Sequence, residues 1–163
     1  MAQLSDVLVQ ELLTGRYVAS FATYNQNGSI HVVAVWYYFE GSCVYVATAS
    51  NTRKAQNLQA NPKCTLMIDS RDPAASRGVS IVGEARIVTG ETAQQLNEKI
   101  HRKYLSDAAI ADQRVGPVFA AWDNVAIQIT PASVVAWDMR EADRQAFGGA
   151  LKQNPGYLLP LEL

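Results

Sequence analysis

Directly after the apolar run Cys43–Ala47, the chain reads Thr48-Ala-Ser-Asn-Thr-Arg-Lys54. Hydroxyl side chains, the free N–H groups of a helix start and two adjacent cations form a donor set suited to a phosphate. On that reading Thr48, Ser50, Thr52, Arg53 and Lys54 grip an anion, which can be the handle of a larger cofactor rather than the reacting group. The competing reading is an ordinary capped helix with solvated cations. Cations at a helix N-terminus oppose its dipole, which favours a compensating anion.

Other chemistry is sparse. His31 and His101 are the only histidines, and Cys43 and Cys64 sit in separate strand-like runs without CxxC spacing. Neither pattern supports a metal centre, and the cysteines read as buried thiols rather than a disulfide. GxSxG, GxGxxG and GxxxxGK[ST] are absent, which argues against a hydrolase elbow, a classical dinucleotide site and a P-loop. Asp69 and Glu84 do not read as an acid–base pair. Trp36, Trp122 and Trp137 are either core residues or platforms for a planar ring. Trp137 is the best ligand candidate, since it ends the last strand.

Positioning such a site needs a scaffold. The 163 residues, 48% hydrophobic and 18% charged, suit one domain with a substantial core. A net charge of −1 gives no reason to expect nucleic acid or an anionic membrane as partner. With no secretion signal and no long apolar run, the expectation is a cytoplasmic protein.

Ser5 is read as the cap of a helix reaching Leu13. Strands follow over Tyr17–Tyr24, Ile30–Phe39 and Cys43–Thr48, the first two joined at Asn27-Gly28, a hairpin signal. Asn51–Ala60 reads as a short helix closed by Asn61-Pro62. Lys63–Asp69 and Gly78–Val88 are strands flanking a charged loop that contains Pro73. Glu91–Tyr104 is an amphipathic helix, Ser106–Gly116 helix and loop, and Asn124–Trp137 a last strand interrupted at Pro131. The tail from Met139 is unassigned. Six strands in short hairpins predict a mainly β, antiparallel six-stranded barrel, with its core over about residues 17–138. The strand Ile30–Phe39 is apolar on both faces and so needs cover on both, from a barrel interior plus a partner or ligand, or from a two-layer sandwich.

The order Asn27-Gly-Ser29, His31-Val-Val-Ala-Val-Trp36, Val44–Thr48, Thr52-Arg-Lys-Ala55, Leu58 and Asn61-Pro62 resembles the pyridoxamine 5'-phosphate oxidase-like family of FMN-binding split β-barrels. The resemblance is clearest over residues 17–88. It implies a homodimer with cofactor clefts between subunits. It further implies that Val33, Ala34, Val35 and Trp36 line the flavin ring, that Ala47, Thr48, Ala49 and Ser50 follow ring and ribityl chain, and that Thr52, Arg53 and Lys54 hold the phosphate. Trp137 would approach from the other subunit. Two features depart from the family's oxidases. The segment Trp137-Asp-Met-Arg-Glu-Ala-Asp143 lacks their arginine–histidine substrate motif, which argues against vitamin B6 oxidation. Arg77-Gly78 stands where they place a flavin-contacting glutamine. The resemblance therefore implies FMN or, as the alternative, a deazaflavin coenzyme. The functions it allows are hydride transfer to a small organic substrate, or a flavin- or haem-binding carrier or sensor without turnover. A purely structural dimeric module leaves the Arg53–Lys54 pair unexplained.

Overall fold

The computed structural model describes residues 1–72 and 75–160. Pro73 and the last three residues lie outside them. Seven strands form one antiparallel sheet: β1 (Ala19–Tyr24), β2 (Ile30–Val35), β3 (Tyr38–Glu40), β4 (Cys43–Thr48), β5 (Lys63–Ser70), β6 (Arg77–Val88) and β7 (Val125–Asp138). Their order is β2-β1-β5-β6-β7-β4-β3, and the sheet curls into a half-barrel. The expected six strands become seven because Ile30–Phe39 is not one strand. It breaks at Trp36 and Tyr37, and its halves lie at opposite edges of the sheet. The break carries the chain across the open side of the half-barrel.

Alternation along the strands builds the core. In β1 Ala19, Phe21 and Thr23 point inward, in β4 Val44, Val46 and Thr48, and in β5 Cys64, Leu66, Ile68 and Ser70. Ile81, Ile127 and Ile129 join them from β6 and β7. Helix α1 (Val7–Thr14) closes one end with Val9, Leu12 and Leu13 fully buried. Its cap position is Asp6 rather than Ser5.

The double cover expected for the second strand is absent within one chain. Val35 is buried, but Ile30 and Val32 are 61% and 60% exposed and Ala34 is also exposed. β2 is an edge strand with an uncovered apolar face.

Helix α2 (Arg53–Ala60) follows β4. Its buried Asn57 donates through Nδ2 to Thr23 Oγ1 and Asn25 Oδ1, both at 3.0 Å, which fastens the helix to the β1–β2 hairpin. Helix α3 (Gly90–Tyr104) lays Ala93, Leu96 and Ile100 against the β7–β4 side of the sheet. Two short helices, α4 (Asp107–Ala111) and α5 (Gly116–Trp122), lead into β7. α5 was not anticipated, although Gly116-Pro117 is a helix-start signal. Helices α6 (Met139–Phe147) and α7 (Ala150–Gln153) form the tail, joined by the buried Asp143 carboxylate, which accepts from the amides of Leu151 and Lys152.

The β6–β7 ladder runs the full length of β6, with one irregularity. Val82 pairs with Ser133 and Gly83 with Pro131, so Ala132 bulges beside the interruption expected at Pro131. A Cβ on Gly83 would stand 2.2 Å from the backbone oxygen of Thr130. Gly83→Ala is expected to lower stability by ~1–3 kcal/mol in chemical denaturation, since backbone must move to admit the methyl. An unchanged midpoint would mean that the bulge yields freely.

At the sheet break, Lys103 Nζ lies 3.8 Å from the Tyr37 ring centroid. Burial, reinforced by the charge of Arg16, lowers its pKa from 10.5 to about 8. Between those values the unfolded chain holds a proton that the folded chain has released, so stability rises with pH there, while below about pH 8 the penalty is constant. Wild type is therefore expected to gain stability relative to Lys103→Met only as pH rises from about 8 to 10.5. Urea titrations across that range giving a constant difference would contradict this.

Candidate cofactor cleft

Two clefts flank the first turn of α2. One, of about 280 Å³, is lined by Val18, Ala34, Val35, Trp36, Ala47, Lys54 and Phe119. The other, of about 430 Å³, is polar and lined by Asn25, Gln26, Asn27, His31 and Arg53. The adjacent cations Arg53 and Lys54 thus face different clefts, as neighbouring positions about 100° apart on a helix must.

The turn between β4 and α2 is held internally. The Thr48 and Thr52 hydroxyls meet at 3.0 Å, and Thr52 Oγ1 also donates to the Ala49 carbonyl at 2.8 Å. Thr48 is buried, so its hydroxyl shapes the turn from beneath. From the start of β7, Asn124 Oδ1 accepts from the Ser50 amide at 2.8 Å, and its Nδ2 donates to Ser50 Oγ at 3.3 Å. Thr52 occupies the cap position of α2 without a side-chain hydrogen bond to the helix. The first-turn amides therefore receive no cap acceptor, and both cations stand beside them.

Burial disfavours the charged form of Lys54 and lowers its pKa, with the Asp123 carboxylate pulling the other way. A half-buried ammonium beside open helix amides is a place where a bound anion relieves two costs at once.

The cleft's wall is aromatic. Trp36 stacks on Tyr104 at 4.9 Å with the rings 2° from parallel, and on Phe119 at 5.4 Å. Tyr104 is itself fixed, its hydroxyl donating to the Tyr17 carbonyl at 2.6 Å. Burial pushes its phenol up to about 12, so it stays protonated and keeps that bond at neutral pH. Exposed Trp122 packs edge-on against Phe119.

Of the residues anticipated from sequence, Ala34, Val35, Trp36, Ala47 and Lys54 share the apolar cleft. Val33 packs against the core instead. Ala49 and Ser50 form the turn above it, and Arg53 belongs to the polar cleft. Trp137 is not among the lining residues. Its ring covers Gly78 on β6, where a Cβ would come within 2.1 Å of it. Arg77 is engaged elsewhere: its guanidinium donates to Glu11 (Nε to Oε1, 2.8 Å) and to the Tyr17 hydroxyl (3.2 Å). His31 lines the polar cleft, and His101 Nε2 lies 2.7 Å from Asp123 Oδ2. Among the described residues no cluster of three or more His, Cys, Asp or Glu side chains could hold a metal. Nor is any described helix long and apolar enough to cross a membrane.

Sequence reasoning missed Val18, Phe119 and Asn124. Phe119 was within reach, since the Gly-Pro start of α5 marks the helix that carries it. Asn124 was not, because its role depends on the end of β4 lying beside the start of β7.

Comparison with known proteins places these features in a family. The family profile described as pyridoxamine 5'-phosphate oxidase matches residues 7–138. No curated protein matches the sequence. Among solved structures, a conserved hypothetical protein from Mycobacterium tuberculosis superposes with a TM-score of 0.71 at 20% identity, covering 99% of this chain and 92% of that one. A protein described as an F420 reductase gives 0.60 at 22% identity, covering 77% and 94%. A FAD-binding protein from Mesorhizobium loti gives 0.59 at 15% identity, covering 79% and 89%. At these identities the structural likeness speaks for the fold alone. The profile match, running from the first helix to the last strand, shows that this chain belongs to the pyridoxamine 5'-phosphate oxidase family.

Proposed function

We propose that this protein binds FMN at the apolar cleft and works as an oxidoreductase, moving a hydride between the flavin and a small organic substrate. The observation that carries the reading is the meeting of an aromatic, apolar wall with the open first turn of α2 and a half-buried lysine. A flat ring needs the first, and a phosphate tail the second. A bound flavin supplies the two-electron chemistry itself. The chain's share is to orient it. Trp36, held by Tyr104, bounds the ring site, Ala34, Val35 and Ala47 keep water from it, and Lys54 with the α2 amides holds the tail. Arg53 reaches the same phosphate from the neighbouring cleft.

A deazaflavin coenzyme is the second reading. It is favoured by Arg77, which stands where flavin-contacting family members place glutamine and is tied to Glu11 and Tyr17. The solved structure described as an F420 reductase shares the fold.

The working unit on this reading is a homodimer with Trp137 approaching the partner's cleft. Two features support it. The cleft's 280 Å³ falls just short of the roughly 300–1,000 Å³ typical of small-molecule sites, as expected if a second chain supplies the missing wall. The outer sheet face also carries two paired rows, Val32, Ala22, Thr65, Val82, Ser133 and Ala34, Ser20, Met67, Ser80, Val135. Neither row contains a charge, and Val32, Val82 and Val135 are exposed. An uncovered apolar face of this kind marks an interface.

Absorbance titration of the purified protein with FMN and with a deazaflavin, separately, tests cofactor choice. Reduction of the bound flavin by NAD(P)H with electrons passed to an added acceptor identifies an enzyme, while silence toward every reductant identifies a carrier. Arg53→Ala/Lys54→Ala is expected to weaken cofactor binding by two or more factors of ten, roughly 3 kcal/mol, with an unchanged melting profile of the unliganded protein. Unaltered affinity in that variant refutes the anchoring role. Val32→Asp should convert a dimer to monomers in light scattering after size exclusion, whereas a wild-type monomer would remove the proposed interface.

A further inference from the structure

A larger cleft, of about 440 Å³, lies between α3, α4 and α5 and shares no lining residue with the apolar cleft beside α2. Phe119 is the common neighbour. Its ring lies 5.4 Å from Trp36 and 5.5 Å from His101, which lines the larger cleft. Leu105, Ile110, Pro117 and Ala120 give this cleft an apolar wall, and Asn97, His101 and Asp123 give it a polar floor. Its volume lies within the roughly 300–1,000 Å³ that small-molecule sites occupy.

The hydrogen bonding of the floor is lopsided. Asn97 is 3% exposed, and its Nδ2 donates to the carbonyls of Asp123 (2.7 Å) and Val125 (3.1 Å), which fixes the orientation of the amide. Its Oδ1 has no partner among the described residues. His101 Nε2 is taken by Asp123 Oδ2 at 2.7 Å, and Arg102 is taken by Glu98 at 2.9 Å. The floor's own donors, Asn97 Nδ2 and His101 Nε2, are committed, so its unfilled capacity is on the acceptor side: Asn97 Oδ1 and the second oxygen of Asp123. A buried acceptor with no partner among the described residues is one that an incoming N–H group can satisfy. The charges of Glu98 and Arg102 offset each other, whereas Asp123 carries a carboxylate that already acts on Lys54 across the partition.

We infer that this cleft is a second binding site, for a compact amine with an apolar body, its N–H groups directed to the Asn97–Asp123 floor and its body against Leu105, Ile110 and Pro117. The inference does not rest on the cofactor or the reaction proposed above.

Benzylamine is the probe, with benzoate as the charge-reversed control of the same size. Titration of the isotopically labelled full chain, followed by amide NMR shifts, should show saturable changes confined to residues 97–105, 107–111 and 116–123. Ala120→Trp, an exposed rim position that fills the cleft, should weaken binding roughly tenfold or more, and Asp123→Asn, which keeps shape and removes charge, by a similar factor. Benzoate should bind at least roughly tenfold more weakly than benzylamine. Shifts that do not saturate, shifts that cluster at Trp36 and Lys54, affinity unchanged in Ala120→Trp, or benzoate binding as tightly as benzylamine would each overturn the assignment.

Discussion

A sheet whose two edge strands are consecutive in sequence must send the chain across its own open side, and in this protein Trp36 and Tyr37 make that crossing. Tyr37 is fully buried, and its hydroxyl donates to the Leu12 carbonyl at the end of α1. Its amide meets the Tyr104 hydroxyl of α3 at 3.4 Å. Burial raises the Tyr37 phenol pKa far above its ordinary range, so it remains a donor. With Tyr37 fixed inward, the preceding side chain must face outward, and Trp36 stacks on Tyr104 as the wall of the apolar cleft. The same anchor thus ties α1 to the barrel, ends β2 and creates the surface on which a planar ring could rest.

The other side of that cleft depends on polar pairing. Thr48, Thr52, Ser50 and Asn124 satisfy one another, which holds the β4–α2 turn while leaving the helix amides uncapped. The hydroxyls of Thr48, Ser50 and Thr52, read from sequence as ligand contacts, are here hydrogen-bonded to one another, to the Ala49 carbonyl and to Asn124. The cations that read as a single clamp are split between two clefts by the helical repeat. The charge of Asp123 acts on Lys54 while its carboxylate meets His101, so the floor of the larger cleft is electrostatically linked to Lys54.

Much of this was legible in the residues. The strands around Phe21, Val46, Leu66 and Ile127 alternate with period two, and such a pattern is local. Asn27-Gly28 and Asn61-Pro62 announce their turns by backbone preference alone. The division of Ile30–Phe39 was not legible, because Val35, Trp36 and Tyr37 all have strand propensity. At the break Tyr37 is held by partners far off in sequence, Leu12 and, 67 residues away, Tyr104. Helix α5 was missed since its apolar residues face neighbours rather than a core, which leaves no periodic stripe to read.

By itself, the sequence determined an antiparallel mainly β domain with a short, cationic helix after the β4 strand, since propensity, turn chemistry and alternation act between near neighbours. Only tertiary structure decided which side chains share a cleft. It brought Phe119 and Ala47 to one cleft, bonded Asn124 to Ser50, sent Arg53 and Lys54 to different clefts, and left Val32 and Ala34 uncovered at the edge. Those outcomes depend on strand register and helix rotation, which are set by packing between segments far apart in the chain.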